Sequence, residues 1–322
     1  MGLTLLVPGQ GNQHATMLER LRDEPAARRV LQEAAEVTGL DMRQELLRRP
    51  TSSWYENSFA QPLICTTVLA TWQALRDELP VPNLVLGYSV GELAAYGVAG
   101  ALDVRQTVWL AQQRATAMNE ASALESGLLA ILGLDKTAVD TLCAEYGAEF
   151  AAINGPQHIV VGGTFAALER LRQAARATGA KHTRLLDVRV ASHTSLLSGA
   201  ARRFVLALDT ADMQDPQVPL LAGVDASVVK KHEAGAAALS AALCRPLLWS
   251  KCMQVAWGTG HEVFLEIGPG RALSRLLRDA YPQAVVRSVE DFASLRATVD
   301  WVYQELDVKR TMGEEAPSLE LH

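Results

Sequence analysis

Leu84-Val85-Leu86-Gly87-Tyr88-Ser89-Val90-Gly91-Glu92-Leu93 carries the pattern Gly-x-Ser-x-Gly at Gly87, Ser89 and Gly91. An apolar run short enough for a buried strand precedes it, and Glu92-Leu93-Ala94-Ala95-Tyr96, a good helix-forming sequence, follows. Strand, tight turn and helix are the context in which this pattern presents a nucleophilic serine. The glycines let the backbone turn sharply and keep space around the hydroxyl. The amides of the first helical turn then face whatever that hydroxyl attacks. A serine that only caps a helix is the alternative use of the same residue here.

Working outward, Leu3 to Val7 reads as another apolar strand, ended by Pro8-Gly9-Gln10-Gly11-Asn12-Gln13. Two glycines among short amides give a loop whose N–H groups can approach a ligand or an oxyanion; a plain surface turn is the alternative. Helical periodicity covers residues 17–47 with a break at Pro25, 54–60 reads as irregular, and Gln61-Pro62 opens a long apolar helix over 63–75. A helix over 104–121 has Ala111, Ala115 and Met118 on its buried face and Arg114 at the edge of that face.

From Gly127 the pattern changes. Strands are expected at 128–132, 149–153, 158–161 and 181–190, a helix capped by Asp135 through 146, and an amphipathic helix over 164–178 closed by Gly179. The order β-α-β-β-α-β is the ferredoxin-like plan. The chain is thus read as α/β: a large domain formed by 1–126 and 191–310, a small subdomain at 127–190, and a polar, disordered tail at 311–322. In the second large-domain segment, helices are expected at 196–208, 234–243, from Pro246 onward, and at 272–278, with strands at 218–223, 262–267 and 284–288.

Composition narrows the function. The chain has 322 residues, 49% hydrophobic and 20% charged, with a net charge of -6. That balance argues against nucleic acid or an anionic membrane as partner, while allowing a local basic pocket. Four scattered cysteines, with no Cys-x-x-Cys pair, argue against a disulfide framework or a metal site and fit a reducing cytoplasm. No signal peptide or membrane span is expected.

Serine needs a base. Among seven histidines His193 stands out, after a strand, at the junction of the two domains, among small polar residues. A cleft between domains is where ligands bind. His193 would take the Ser89 proton, Ser89 would attack a thioester carbonyl, and the N–H groups of Val90 and Gln10 would hold the oxyanion. Arg114 would pair with a carboxylate on the acyl group. The acyl-serine would then pass to a second thiol.

These residues, with Gln61-Pro62, Asn154, Ser192-His193 and Glu266-Ile267-Gly268-Pro269-Gly270 in order, closely resemble the malonyl-CoA:acyl-carrier-protein transacylase family over about residues 3–290. The resemblance implies an α/β-hydrolase-like large domain with a parallel sheet. It also implies a Ser89–His193 dyad without a triad acid, a Gln10 and Val90 oxyanion hole, and malonyl binding by Arg114 with Gln61 and Asn154. It implies malonyl-CoA as substrate, the prosthetic thiol of a carrier protein as acceptor, and no bound cofactor or metal. Three departures stand out: Tyr88 replaces a usual His, Ala242 replaces a usual Gln, and Val190-Ala191-Ser192-His193 is nearer to a methylmalonyl-type motif than to a malonyl-type one. The resemblance implies that a main-chain carbonyl near Ala242 orients the base.

Within the family, Gly-Tyr-Ser-Val-Gly-Glu looks most like the acyltransferase (epsilon) subunit of bacterial malonate decarboxylase. That subunit loads the decarboxylase's own carrier subunit. The alternative is a transacylase of fatty-acid or polyketide synthesis. Outside the class, a serine hydrolase or thioesterase would need an acid, for which Asp187 is available, and a non-catalytic carrier-binding scaffold would leave Ser89 unmodified.

Overall fold

The computed structural model describes residues 2–122, 125–260 and 263–314, with side chains to 307. Strand β1 (Leu3–Val7) is followed by helices α1 (Pro25–Thr38), α2 (Met42–Arg48) and α3 (Asn57–Leu75), then by β2 (Leu84–Gly87), α4 (Val90–Val98) and α5 (Val104–Ala121). Next come β3 (Ser126–Leu132), α6 (Lys136–Tyr146), β4 (Glu149–Gly155), β5 (His158–Thr164), α7 (Phe165–Ala177) and β6 (His182–Leu185). The chain continues through α8 (Ser198–Thr210), β7 (Leu220–Leu221), β8 (Val228–Val229), α9 (His232–Ala241), α10 (Trp249–Gly258), β9 (Val263–Glu266), α11 (Ala272–Ala280), β10 (Val285–Ser288) and α12 (Leu295–Glu314).

The larger sheet has the order β10-β9-β1-β2-β7-β8, and every pair is parallel except the edge pair β7–β8. Strands β1, β2 and β9 are buried along their whole length, as strands covered by helices on both faces must be. The smaller sheet is antiparallel with the order β4-β5-β3-β6, connected β3-α6-β4-β5-α7-β6, which is the expected βαββαβ plan. Alternation along β3 puts Leu129 and Ile131 into a core under α6 and α7, while Leu128 and Ala130 join the core of the larger layer. A register irregularity between Phe150 and Ala152 turns both Ala151 and Ala152 toward that same larger core.

Several local expectations need correction. The 17–47 stretch is two α-helices after a short 3-10 turn, because Pro25 starts α1 and Gly39, at φ 72°, ends it. Helix α3 begins at Asn57, so Pro62 lies inside it and its ring forgoes one main-chain bond. Nearly complete burial of α3 offsets that loss. β6 stops at Leu185 rather than 190, because the chain leaves the sheet edge there and Leu186 and Val188 turn to line a cavity. Pro246 does not open α10: Leu247 is held beside Ala152 in an isolated parallel bridge, and the helix starts at Trp249. Helix α12 was not expected. It covers the start of the expected tail, and 315–322 lies outside the described residues. No helix among the described residues is long and apolar enough to cross a membrane.

Candidate active site

The cavity beside Ser89 forms at the C-terminal ends of β1 and β2, the end of a parallel sheet at which ligands bind. It measures about 70 Å³, well above the roughly 10–15 Å³ that a single water needs. Gln10, Tyr88, Ser89, Arg114, Met118, Leu128, Ala151, Ala152, Val160, Leu186, Val188, Ser192 and His193 line it. A larger cavity of about 690 Å³, between Arg29, Arg76 and Asp103, holds no pairing of a nucleophile with a base. Volume therefore does not locate the chemistry.

The elbow is built by steric exclusion. Ser89 sits at φ 56° and ψ -119°, a strained conformation for a residue with a Cβ. A Cβ on Gly87 would fall on the Cα and N of Glu92, and one on Gly91 would fall on the carbonyls of Val7 and Pro8. The Tyr88 N–H donates to the Val7 carbonyl at 2.9 Å, which fixes the elbow to the end of β1. Gly9 packs so closely under the elbow that a Cβ there would lie 2.7 Å from the Tyr88 carbonyl, bringing Gln10 to the cavity. Val90 opens α4, where an N–H has no acceptor within the helix.

His193 lies on the far side, at φ 66°, with its own N–H donating to Leu243 at 2.9 Å. Its Nδ1 makes a short hydrogen bond to the Ala242 carbonyl. A carbonyl can only accept, so Nδ1 carries the proton and the Nε2 lone pair faces Ser89 Oγ at 2.9 Å. Burial, aided by the charge of Arg114, pulls the imidazole pKa down to about 3 against the Ala242 bond. The ring is therefore a neutral acceptor across the physiological range. Asp187, the acid that a hydrolase would need, is bound instead to Arg184 at 3.3 Å in an exposed pair.

Arg114 is not at a solvated edge: it is 3% exposed. Its guanidinium donates to Gln61 Oε1 at 2.7 Å, to Met118 Sδ at 3.2 Å and to Ser89 Oγ at 3.4 Å. Among the described residues no carboxylate lies within ion-pair distance of it. Burial lowers its pKa to about 10, still well above neutrality, so a full positive charge faces the Ser89 hydroxyl.

Two expected ligands stand one layer back. Gln61, fully buried, touches Arg114 and Met118 rather than the cavity. Asn154 lies beside the Tyr88 phenol, and its Oδ1 is buried without a hydrogen-bond partner among the described residues. Tyr88 also meets Trp249 edge-on at 5.3 Å, and burial pushes its pKa up to about 12.

The sequence reading gave no role to the apolar wall of Leu128, Ala151, Ala152, Val160, Leu186 and Val188, nor to Glu92. Their signal was weak: small apolar residues on a half-buried strand look like any core face. The Gln10 loop is braced by Gln10 Nε2 to Asn57 Oδ1 at 3.3 Å, Asn57 Nδ2 to Asn119 Oδ1 at 3.0 Å, and Gln13 Nε2 to the Trp54 carbonyl at 3.0 Å. A hydroxyl, a neutral imidazole, helix-start and loop amides, and a buried cation can together form and break an acyl ester that bears an anionic group.

Residues 4–301 match the family described as the acyl transferase domain. The chain is 29% identical over 312 residues to the malonyl CoA-acyl carrier protein transacylase of Bacillus subtilis, covering 95% of this chain and 98% of that one. It superposes with a TM-score of 0.88 on an acyl-carrier-protein S-malonyltransferase from Burkholderia pseudomallei, at 31% identity, covering 93% of this chain and all of the other. A malonyl-transacylase solved in complex with a type II PKS acyl-carrier protein matches with a TM-score of 0.89 at 29% identity, covering 93% and 99%.

Proposed function

The chain belongs to the acyl transferase domain family, and from that premise we propose that it moves a malonyl group from malonyl-CoA to the thiol of an acyl carrier protein through a malonyl-Ser89 intermediate. The observation that carries the reading is Arg114, a buried cation without a carboxylate partner among the described residues, 3.4 Å from the hydroxyl that His193 meets at 2.9 Å. The free carboxylate of a malonyl group supplies the missing counter-charge and orients the thioester carbonyl toward Ser89.

His193 Nε2 accepts the Ser89 proton as Oγ attacks that carbonyl. The tetrahedral oxyanion lies against the N–H groups of Val90 and Gln10, each such donor contributing about 10²–10³ in rate. Collapse breaks the C–S bond, and the departing CoA sulfur takes the proton held by His193. The carrier thiol then gives its proton to His193 and attacks the malonyl ester, and as the C–Oγ bond breaks the Ser89 oxygen takes that proton back from His193. Ala242 holds the base through its carbonyl, so its side chain is free to differ. Gln61 aims Arg114, and Asn154 acts through Tyr88. The small cavity, filled by the acyl group, leaves little space for water, which favours transfer over hydrolysis.

The named relatives favour an acyl carrier protein as the acceptor. Tyr88 in Gly-Tyr-Ser-Val-Gly-Glu favours a second reading, in which the acceptor is the carrier subunit of a malonate decarboxylase. Arg114→Ala tests the part common to both. A charge-assisted pair contributes about 1.5–3 kcal/mol, so malonyl transfer should fall at least about tenfold more than acetyl transfer. Equal losses for the two donors would mean that Arg114 does not bind the acyl carboxylate.

A further inference from the structure

Glu92 lies in the first turn of α4, 1% exposed, and is not among the residues that line the cavity. The Gly223 N–H donates to its Oε1 at 3.2 Å, and its Oε2 is buried without a hydrogen-bond partner among the described residues. A Cβ on Gly223 would lie 2.8 Å from Oε2, so the Glu92 carboxyl would have to shift to admit it. The Gly223 carbonyl accepts the Leu248 N–H at 2.7 Å. One residue earlier, Leu247 donates to the Ala151 carbonyl at 2.9 Å and accepts the Ile153 N–H at 2.8 Å. Ala151 and Ala152 form the cavity wall facing Ser89.

The stretch 242–248 therefore has two jobs. One end, through Ala242 and Leu243, holds the His193 ring and backbone. The other end, through Leu247 and Leu248, holds β4 and is fixed to Gly223. Glu92 links the elbow carrying Ser89 to this stretch through Gly223, whose carbonyl holds Leu248.

We propose that Glu92 is a positioning residue whose length, rather than its charge, sets both the alignment of His193 with Ser89 and the distance from Ser89 to the Ala151–Ala152 wall, and so the size of acyl group admitted. The proposal rests on the reading of Ser89 as the acyl-bearing residue. Burial supports the emphasis on length, since it pushes the Glu92 pKa up to about 8 and leaves the carboxyl mostly neutral near pH 7.

The test compares native protein with Glu92→Gln, Glu92→Asp and Gly223→Ala, reading Ser89 acylation by intact mass with malonyl-CoA and with methylmalonyl-CoA. Glu92→Gln keeps the length and should stay within about threefold of native on both donors. Glu92→Asp falls one carbon short, and a shift of about 1 Å at a site costs up to about 10²-fold, so its malonyl rate should fall about tenfold or more. Its preference between the two donors should also move by about threefold or more, which a mere loss of stability would not produce. Gly223→Ala pushes the strut from the other side and should do the same, which decides the matter if Glu92→Asp does not fold. Native rate and preference in Glu92→Asp or in Gly223→Ala, or a Glu92→Gln as slow as Glu92→Asp, would overturn the proposal. Labelling of Ser89 by an alkyl fluorophosphonate, which needs only the serine and its base, is run in parallel. If native protein takes the probe but no malonyl group, the proposed function fails, and the probe rates still rank the variants.

Discussion

The pairing of Ser89 with His193 depends on a proton being in one place. With Nδ1–H committed to the Ala242 carbonyl, Nε2 has its lone pair toward Oγ at 2.9 Å. The ring's pKa, pulled down to about 3 from 6.5 mainly by burial, has a kinetic consequence. A base that is neutral above its pKa loses activity only when pH falls to that value, so acylation by malonyl-CoA should be flat from about pH 8 to 5. A loss of rate centred near 6.5 would show an imidazole in ordinary solvent and contradict this geometry. The sequence makes Ser89 and Arg114 legible as chemical types, since a nucleophile in a glycine turn and a cation beside an apolar stripe carry local signals. It does not show that Arg114 is buried or that Asn154 faces Tyr88, because both follow from which elements pack together. Glu92 escaped a role for the same reason: its partner Gly223 is distant along the chain.

At the scale of elements, the elbow is a joint between β1, β2 and α4, and the close contacts of Gly87 and Gly91 hold it. Gly91→Ala would put a Cβ on the Val7 and Pro8 carbonyls, so α4 must swing and carry the Val90 amide away from the cavity. Acylation should drop about 10²-fold, with a lowered melting temperature. A Gly91→Ala protein that acylates at the native rate would show that the joint tolerates displacement. Elements with strong local punctuation were legible: β1, the capped α5 and the βαββαβ order all follow from turns, caps and periodicity. Those that failed were decided by tertiary contacts. Pro62 is tolerated inside α3 because that helix is enclosed, and β6 ends early because Leu186 and Val188 are needed in the cavity wall. Helix α12 could have been read from Leu295, Thr298, Val299 and Val302, which share one buried face at helical spacing.

Across the whole molecule, two sheets share one task. The parallel sheet carries Ser89 and the Gln10 loop, and the antiparallel sheet supplies the opposing wall through Leu128, Ala151, Ala152 and Val160. The central claim is that Ser89 takes a malonyl group from a CoA thioester and passes it to a carrier thiol. It is tested most directly by intact-protein mass after brief incubation with malonyl-CoA alone, on native protein and on Ser89→Ala, followed by addition of acyl carrier protein or of a malonate decarboxylase carrier subunit. The account predicts a malonyl adduct on native protein, none on Ser89→Ala, and faster discharge of the adduct onto the acyl carrier protein. Faster discharge onto the decarboxylase carrier would select the second reading. An adduct that persists on Ser89→Ala, or free malonate released without any adduct or transfer to either carrier, would contradict the claim.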